Sequence, residues 1–228
     1  MKELKELEQL LAYLQTHQLE QIFHEPFLPH LTLYSFEQGE FICSQGDASE
    51  FLYVLVKGKV KIYTSSPEGK TLILSFKKPL EVIGDIEYVR SIDIINTVEA
   101  VSPVWMIGIH HRWLKKYGSD HAPFLQFLLD IITRKFHLKN NSMTFNIMYP
   151  VEVRLASYLL SVSFDEADSL LKNISIKDAA NLIGTSYRHL NRVITQFCAE
   201  GLIERSRGSI LVKDKKGLLE LAGNNIYE

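Results

Sequence analysis

The sequence predicts an α+β protein with an N-terminal antiparallel β-barrel, a long α-helix and a C-terminal winged helix-turn-helix. Short strand-like segments separated by Gly and Pro turns fill residues 31–109. A helical stretch without further Gly or Pro then runs from Pro123 to Pro150. Two short helical segments joined by Gly184 precede a last strand pair. We therefore expect domains at 1–121, 122–149 and 150–228.

Composition describes an ordinary globular chain with no membrane partner. Its 228 residues, 46% of them hydrophobic, can bury the cores of two modest domains. The most apolar segments, such as 51–56 and 125–132, are much shorter than the ~20 residues that cross a bilayer. The N-terminus carries acids and lacks the apolar core of a secretory signal. We expect a cytoplasmic protein.

The formal net charge of −2 gives no global sign of nucleic-acid binding. Residues 173–217, however, contain eight Lys or Arg against four Asp or Glu, a local net charge of +4. Positive charge is therefore concentrated near the C-terminus, where a phosphate backbone could be bound.

The N-terminal third changes from helical to strand periodicity. Leucines at helical spacing predict an amphipathic helix or helix pair over residues 2–22, ended by Pro26 and Pro29. The alternation in residues 57–63, where Val60 and Ile62 face one way, is typical of a strand. Strands this short and regularly spaced favour a small antiparallel barrel or sandwich of the jelly-roll type.

The long helix carries an apolar stripe, with Phe124, Ile131, Leu138 and Phe145 recurring every seven residues and Leu128 widening it. We predict that these five residues form a dimer seam, more secure along the first half because Lys135 and Ser142 interrupt it. The alternative is a helix lying on the core of its own domain.

The segment 175–199 has the signals of a helix-turn-helix. Ser175 and the acid Asp178 mark a helix start, and Gly184 can supply the positive φ of the turn. The second helix, from about 187 to 199, turns four apolar residues inward: Leu190, Val193, Ile194 and Phe197.

Hydrogen-bonding side chains occupy the outward positions of that second helix: Tyr187, Arg188, His189, Asn191, Arg192 and Gln196. Arginine suits the guanine edge in the major groove. Residues 201–212 then predict a strand, a Gly-containing turn and a strand, a wing whose Arg207 and Ser209 suit phosphate contact. The alternative is a helical subdomain formed by packing alone.

At this point the whole chain resembles the Crp/Fnr superfamily of bacterial transcription regulators. Residues 36–40, 51–60, 68–70 and 82–86 resemble its cyclic-nucleotide-binding-type barrel. Residues 184–190, 196–197 and 201–203 are similar to its YeiL branch in particular. The resemblance implies a homodimeric regulator that binds an approximately palindromic double-stranded operator and contacts RNA polymerase. It also implies that Tyr187, Arg188 and Arg192 read bases and that Ser186 lies near the phosphate backbone.

The resemblance also bears on the effector. Nucleotide-binding members follow a Gly-Glu-Leu turn with an Arg-Ser/Thr-Ala anchor for the cyclic phosphate. Here Gly84-Asp85-Ile86 keeps the turn and the acid, but Ile94 and Ile95 stand at the anchor positions. We therefore predict no useful affinity for cyclic AMP, and no cofactor. Two interpretations of Arg90-Ser91 stay open: a substitute phosphate anchor in a shortened loop, or simply an exposed loop tip.

If an effector exists, analogy places it between barrel and long helix, near two groups of residues: Gly84, Asp85, Ile86, Glu87 and Tyr88, and Lys139 with Asn140. A metal is not expected, because the adjacent His110 and His111 would point to opposite faces of a strand. An oxidant response of Cys43 or Cys198 is left open.

Two other functions compete with DNA binding. The first is a ligand-binding signalling module that acts by protein contact and keeps the winged helix only as an interaction surface. The second is an enzyme, which the sequence disfavours because it has no glycine-rich phosphate loop and no nucleophile motif. The sequence leaves open the effector, the target genes and whether the protein activates or represses.

Overall fold

A computed structural model describes residues 2–4, 6–67, 71–163, 170–172, 175–206 and 209–223. The chain divides into two compact units, Met1–Lys135 and Phe136–Glu228, and the division falls inside the long helix. Arg207, predicted at the wing tip, lies outside the described residues. Among the helices described, none combines the length and apolar character of a membrane span. The three-part domain division stays a prediction.

The first unit begins with a strand and not with the predicted helix. β1 (Lys2–Leu4) pairs antiparallel with β2 (Leu31–Phe36), and α1 covers Leu7–Thr16. The predicted helix over 2–22 is therefore wrong at both ends, because Leu4 pairs with Leu33 at the sheet edge and the helix stops at Thr16. The two prolines lie in a separate 3₁₀ helix, Glu25–His30.

Two antiparallel sheets make the predicted barrel. The remaining elements of the first unit, in chain order, are β3 (Phe41–Cys43), β4 (Phe51–Lys57), β5 (Val60–Ser65), β6 (Thr71–Lys77), β7 (Val82–Ile83), α2 (Asp85–Arg90), β8 (Thr97–Ala100), β9 (Val104–His110) and α3 (His111–Gly118). The strands are ordered β1-β2-β9-β4-β7 in one sheet and β3-β8-β5-β6 in the other. The predicted N-terminal β architecture is confirmed.

β4 is buried on both faces, which explains its unbroken apolar sequence. Tyr53 and Leu55 point into the barrel interior, where they pack in one cluster with residues such as Phe36 and Met106. Leu52, Val54 and Val56 point the other way, into a second cluster under the helical layer. Alternate side chains of one strand thus serve two cores.

The long helix, α4 (Ala122–Met148), corrects the predicted dimer seam. Phe124, Leu128 and Ile131 are buried in the second cluster of their own unit, so they have no surface to offer a partner. The alternative of a helix lying on its own domain's core holds for this half. Leu138 and Phe145 are half-buried, and their part in a seam stays a prediction.

A different apolar stripe on α4 is exposed. Two of its residues, Leu125 and Leu129, directly follow the predicted Phe124 and Leu128. The others lie seven or four residues further along the helix: Phe136, Met143 and Ile147. Phe136 is 74% exposed and Leu129 is 63% exposed. One residue along an α-helix rotates the side chain by about 100°, which separates an inward from an outward face.

The second unit contains the predicted helix-turn-helix and wing. Its elements are α5 (Val151–Ser163), β10 (Leu170–Lys172), α6 (Ile176–Leu182), α7 (Tyr187–Ala199), β11 (Ile203–Ser206), β12 (Ser209–Val212) and α8 (Lys215–Ala222). The strands form a sheet of order β10-β12-β11. The Ser175 hydroxyl accepts from the Asp178 amide at 3.2 Å, and Gly184 has φ +67°, so both local signals are confirmed.

Candidate nucleic-acid interface and sensor site

Local signals position the N-terminus of α7. The Ser186 hydroxyl accepts a hydrogen bond from the His189 amide at 3.2 Å and so caps the helix. The inward residues Leu190, Val193, Ile194 and Phe197 are all buried, as the periodicity predicts. Packing of this face holds the opposite face of α7 toward solvent.

The outward face of α7 is rich in hydrogen-bond donors. Tyr187, Arg188 and Arg192 are exposed, while His189 and Asn191 are half-buried. Within the described residues, neither Arg188 nor Arg192 forms an ion pair. Their positive charges and planar donor groups are therefore available to an external acceptor.

Both polar atoms of the Asn191 side-chain amide form hydrogen bonds. Its Nδ2 donates to the Tyr187 carbonyl oxygen at 2.9 Å, and its Oδ1 accepts from an Arg205 Nη1 at 2.7 Å. Arg205 lies on β11, so the bond joins the wing to the exposed face of α7. In the sequence, Arg205 stands out only as one positive charge of the basic region 173–217.

The wing is an antiparallel hairpin whose last described pair is Ser206 opposite Ser209. Ser209, predicted to contact phosphate, is half-buried, so its side chain is only partly accessible. In the same region Lys213 and Glu204 form an exposed ion pair at 3.5 Å.

A second arginine missed by sequence reasoning supports the turn between α6 and α7. Arg154, on α5, is buried, and its Nη1 donates to the carbonyl oxygens of Ile183 at 2.5 Å and Gly184 at 3.3 Å. These carbonyls end α6, where a positive charge is favourable. The only sequence signal was an arginine inside an otherwise apolar helix face.

Arg154→Met should lower the free energy of unfolding of the second unit by about 2 kcal/mol, because two carbonyl oxygens lose a charged donor. Chemical denaturation followed by far-ultraviolet circular dichroism measures this loss. Arg192→Met, the same exchange at an exposed site, is the matched control and should change stability by less than about 0.5 kcal/mol. Equal losses in the two variants would contradict the role assigned to Arg154.

The predicted sensor turn is tightly constrained. Gly84 has φ +87°, and a Cβ there would lie 2.5 Å from the Phe51 carbonyl oxygen, so only glycine fits. Asp85 follows it as the first residue of α2 and is buried. Its carboxylate lies 2.9 Å from the ammonium group of Lys135 on α4.

Lys135 is the centre of an ion cluster inside the first unit. Its Nζ also lies 3.0 Å from Glu81 and donates to the Val82 carbonyl oxygen at 2.6 Å. Glu81 has a second partner, Lys77, at 3.1 Å. Burial raises the Glu81 pKa, but the two lysines outweigh it and leave that pKa below its ordinary value. The negative charge of Asp85, the acid of the predicted sensor turn, is therefore balanced by Lys135 of the same unit.

The other residues of the predicted effector site have local roles. Glu87 is buried and accepts from the Ile95 amide at 3.0 Å, Ile86 is exposed, and burial raises the pKa of the half-buried Tyr88. Lys139 and Asn140 are exposed on the second unit, and their part in an effector site stays a prediction.

The two isoleucines at the nucleotide-anchor positions differ in burial. Ile94 is buried, and its backbone bonds the 44–47 turn through Gly46 and Asp47. Ile95 is partly exposed. Arg90, the possible substitute anchor, is exposed in the last turn of α2.

The histidines and cysteines form no metal centre within the described ranges, where no three candidate ligands converge. His111 contacts the Tyr88 ring, and burial lowers its pKa to about 4, so it is neutral at pH 7. Burial raises the pKa of the Cys43 thiol to about 12, which disfavours the reactive thiolate. Cys198 is half-buried, and its response to oxidants stays open.

Two family models match the chain, one in each unit. A cyclic nucleotide-binding domain matches residues 33–118, and a Crp-like helix-turn-helix domain matches residues 153–221. The first covers most of β2 and the elements from β3 to α3, and the second covers the helix-turn-helix and wing.

Relatives align with this chain over most of both lengths. The regulatory protein YeiL of Escherichia coli O157:H7 is 27% identical over 207 residues, which cover 89% of this chain and 93% of that protein. A CRP-like cAMP-activated global transcriptional regulator of Mycobacterium tuberculosis is 23% identical over 193 residues, covering 82% and 86%. A solved structure from Eubacterium rectale ATCC 33656, proposed to be a transcriptional regulator of the crp/fnr family, has a TM-score of 0.77 at 24% identity. It covers 94% of this chain and 97% of that one, and it shows the shared fold.

Proposed function

The chain belongs to the Crp/Fnr family of transcription regulators, and we propose that it acts as a cytoplasmic homodimer that reads an approximately palindromic DNA site without cyclic AMP. One observation carries the DNA-reading part. Tyr187, Arg188 and Arg192 project together from a helix whose other face is buried and whose N-terminus is capped by Ser186. Two such helices, one from each protomer, would occupy successive major grooves.

Replacing Arg188 or Arg192 by alanine should weaken specific binding by about 1–3 kcal/mol, because each loses a bidentate donor to a base edge. The measurement is the dissociation constant for an operator selected by wild-type protein from random DNA. Lys216→Ala removes an exposed positive charge of α8 in the same unit and should change the affinity little. The fold should be unaffected, because both arginines are exposed.

Selection from random DNA also tests the proposed function itself. Wild-type protein should enrich one sequence, and its affinity should fall steeply as salt rises. An oligomer with no salt-dependent DNA affinity would contradict the proposal and favour the rival, a signalling module that acts by protein contact. Contact with RNA polymerase stays a prediction.

The exposed stripe of α4 supports the homodimer. Leu129, Phe136 and Met143 recur every seven residues, the repeat with which two helices bury apolar residues against each other. Large apolar side chains that are mostly exposed in one protomer lose contact with water when a second copy covers them.

Independence from cyclic AMP is supported by the sensor turn. A cyclic nucleotide brings an anionic phosphate, which requires a cation inside the barrel, and Ile94 occupies the anchor position with an apolar side chain. The acid Asp85 is already paired with Lys135. Calorimetric titration with cyclic AMP should show no micromolar binding, with the M. tuberculosis regulator, whose name describes it as cAMP-activated, as the positive control. Micromolar binding that Arg90→Ala abolishes would overturn this proposal.

A further inference from the structure

The hydrogen bond between Asn191 and Arg205 joins two elements that a DNA-reading domain presents to the duplex. Arg205 lies on the first wing strand, and Asn191 lies one turn into α7. The 2.7 Å bond connects the guanidinium group to the amide oxygen. The orientation of the amide is unambiguous, because a guanidinium only donates and the Tyr187 carbonyl oxygen only accepts.

The chemistry of this partner matters for the charge of Arg205. Asparagine is neutral, so it directs the guanidinium without neutralising it. Two lysines of the same unit differ, since Lys213 is paired with Glu204 and Lys216 with Glu220. Arg205 is exposed, and among the described residues the only hydrogen bond of its guanidinium group is the one to Asn191. A guanidinium has five N–H donors, so most of them remain free to bind an anion.

We propose that Arg205 contacts a backbone phosphate of the DNA and that Asn191 is the positioning residue that holds its guanidinium beside the exposed face of α7. This inference rests on the proposed DNA-binding function. Pre-orientation by Asn191 reduces the side-chain entropy that Arg205 loses on binding, and the planar donor group matches two phosphate oxygens. Asn191 thereby acts through Arg205 and does not itself read a base.

The test measures the affinity of the full-length protein for the operator selected by wild type, over a range of salt concentrations. Arg205→Met, which keeps the aliphatic stem, should weaken binding about 5- to 20-fold. It should also reduce the slope of log affinity against log salt by about one phosphate contact. Asn191→Ala should produce a smaller loss, and the double variant should bind no more weakly than Arg205→Met alone.

Asn191→Asp separates orientation from charge. The aspartate keeps an acceptor for the Arg205 guanidinium but adds a negative charge that offsets the positive charge of Arg205. The loss of DNA affinity in Asn191→Asp should therefore approach that in Arg205→Met. Lys216→Ala is the control for the removal of a positive charge from the same unit and should leave the salt slope unchanged. Thermal unfolding should show all variants folded, because Arg205 is exposed and Asn191 is only half-buried.

Three results would overturn the inference: an unchanged salt slope in Arg205→Met, additive losses in the double variant, or a changed base preference at one position. The wild-type arm tests the proposed function separately. If wild-type protein binds a selected site in a salt-dependent way and the variants match it, this inference alone fails. If wild-type protein shows no such binding, the proposed function fails first.

Discussion

Lys135→Met is expected to lower the free energy of unfolding of the first unit by about 3 kcal/mol. The substitution removes the shared partner of Glu81 and Asp85, two buried carboxylates, and leaves Asp85 without a counter-charge among the described residues. Removing one partner of a buried ion pair costs about 3–5 kcal/mol, and the partial exposure of Lys135 places the expected loss at the lower end. Both tryptophans, Trp105 and Trp113, lie in this unit, so denaturation followed by tryptophan fluorescence reports it selectively.

The loss should depend on pH in a defined direction. In the wild type the Glu81 pKa is lowered, so its contribution to stability is present above its unfolded-state pKa and is lost as pH falls through the folded-state value. Without Lys135, only Lys77 would oppose the effect of burial on the Glu81 pKa, so that pKa would rise and the folded variant would bind a proton more readily than the folded wild type. The difference between variant and wild type should therefore shrink as pH falls from 7 toward 4.

Two further variants control this result. Lys139→Met makes the same exchange one turn later on α4, where the lysine is exposed, and should change stability little. Adding Asp85→Asn to Lys135→Met should recover part of the loss, because it removes the unpaired charge. A stability equal to wild type at pH 7 would contradict the role assigned to the ion cluster.

Phe136→Glu is expected to convert the protein to a monomer at micromolar concentration. Burial of a Phe side chain stabilises an interface by about 2–3 kcal/mol. In a two-fold symmetric dimer, the substitution would occur once in each protomer and so twice in the interface. The dimer dissociation constant should rise about 1,000-fold or more, and sedimentation equilibrium measures it. Operator affinity should fall at least about 100-fold, because the two half-sites would no longer be bound by linked domains.

The matched control is Phe41→Glu, which removes an exposed phenylalanine on β3, away from the α4 stripe. It should leave both the dimer and the DNA affinity unchanged. Persistence of the dimer in Phe136→Glu would show that the stripe is not the seam.

Local signals made the helix-turn-helix predictable. Ser175, Gly184 and Ser186 act on backbone groups within three or four residues, so their effects can be read without knowing the fold. The buried face of α7 was predictable for the same reason, since its period belongs to one helix.

The face of α4 was not predictable, because apolar residues stand at both of two adjacent positions. Phe124 and Leu125, Leu128 and Leu129, and Ile131 and Ile132 define two stripes of equal hydrophobicity. Which stripe meets the barrel depends on contacts with strands that lie far away in the chain. The heptad spacing predicted an interface along one stripe, but the first half of that stripe lies on the core of its own unit, and a neighbouring stripe is exposed.

The three polar residues that sequence reasoning missed depend on distant partners. Arg205 bonds a residue 14 positions away, Arg154 one 29 positions away, and Lys135 one 50 positions away. No periodicity or motif links such pairs. In the sequence, Lys135 was visible only as an interruption of an apolar stripe.

β4 has a consequence for how a signal could be transmitted within the first unit. Because side chains of β4 pack in both cores, its backbone cannot shift toward one core without losing packing contacts in the other. A molecule that displaced Tyr53 or Leu55 would push directly on the layer beneath α4. Closely packed interiors respond to such a push by switching between arrangements, so β4 offers a direct mechanical path from the barrel interior to the first half of the long helix.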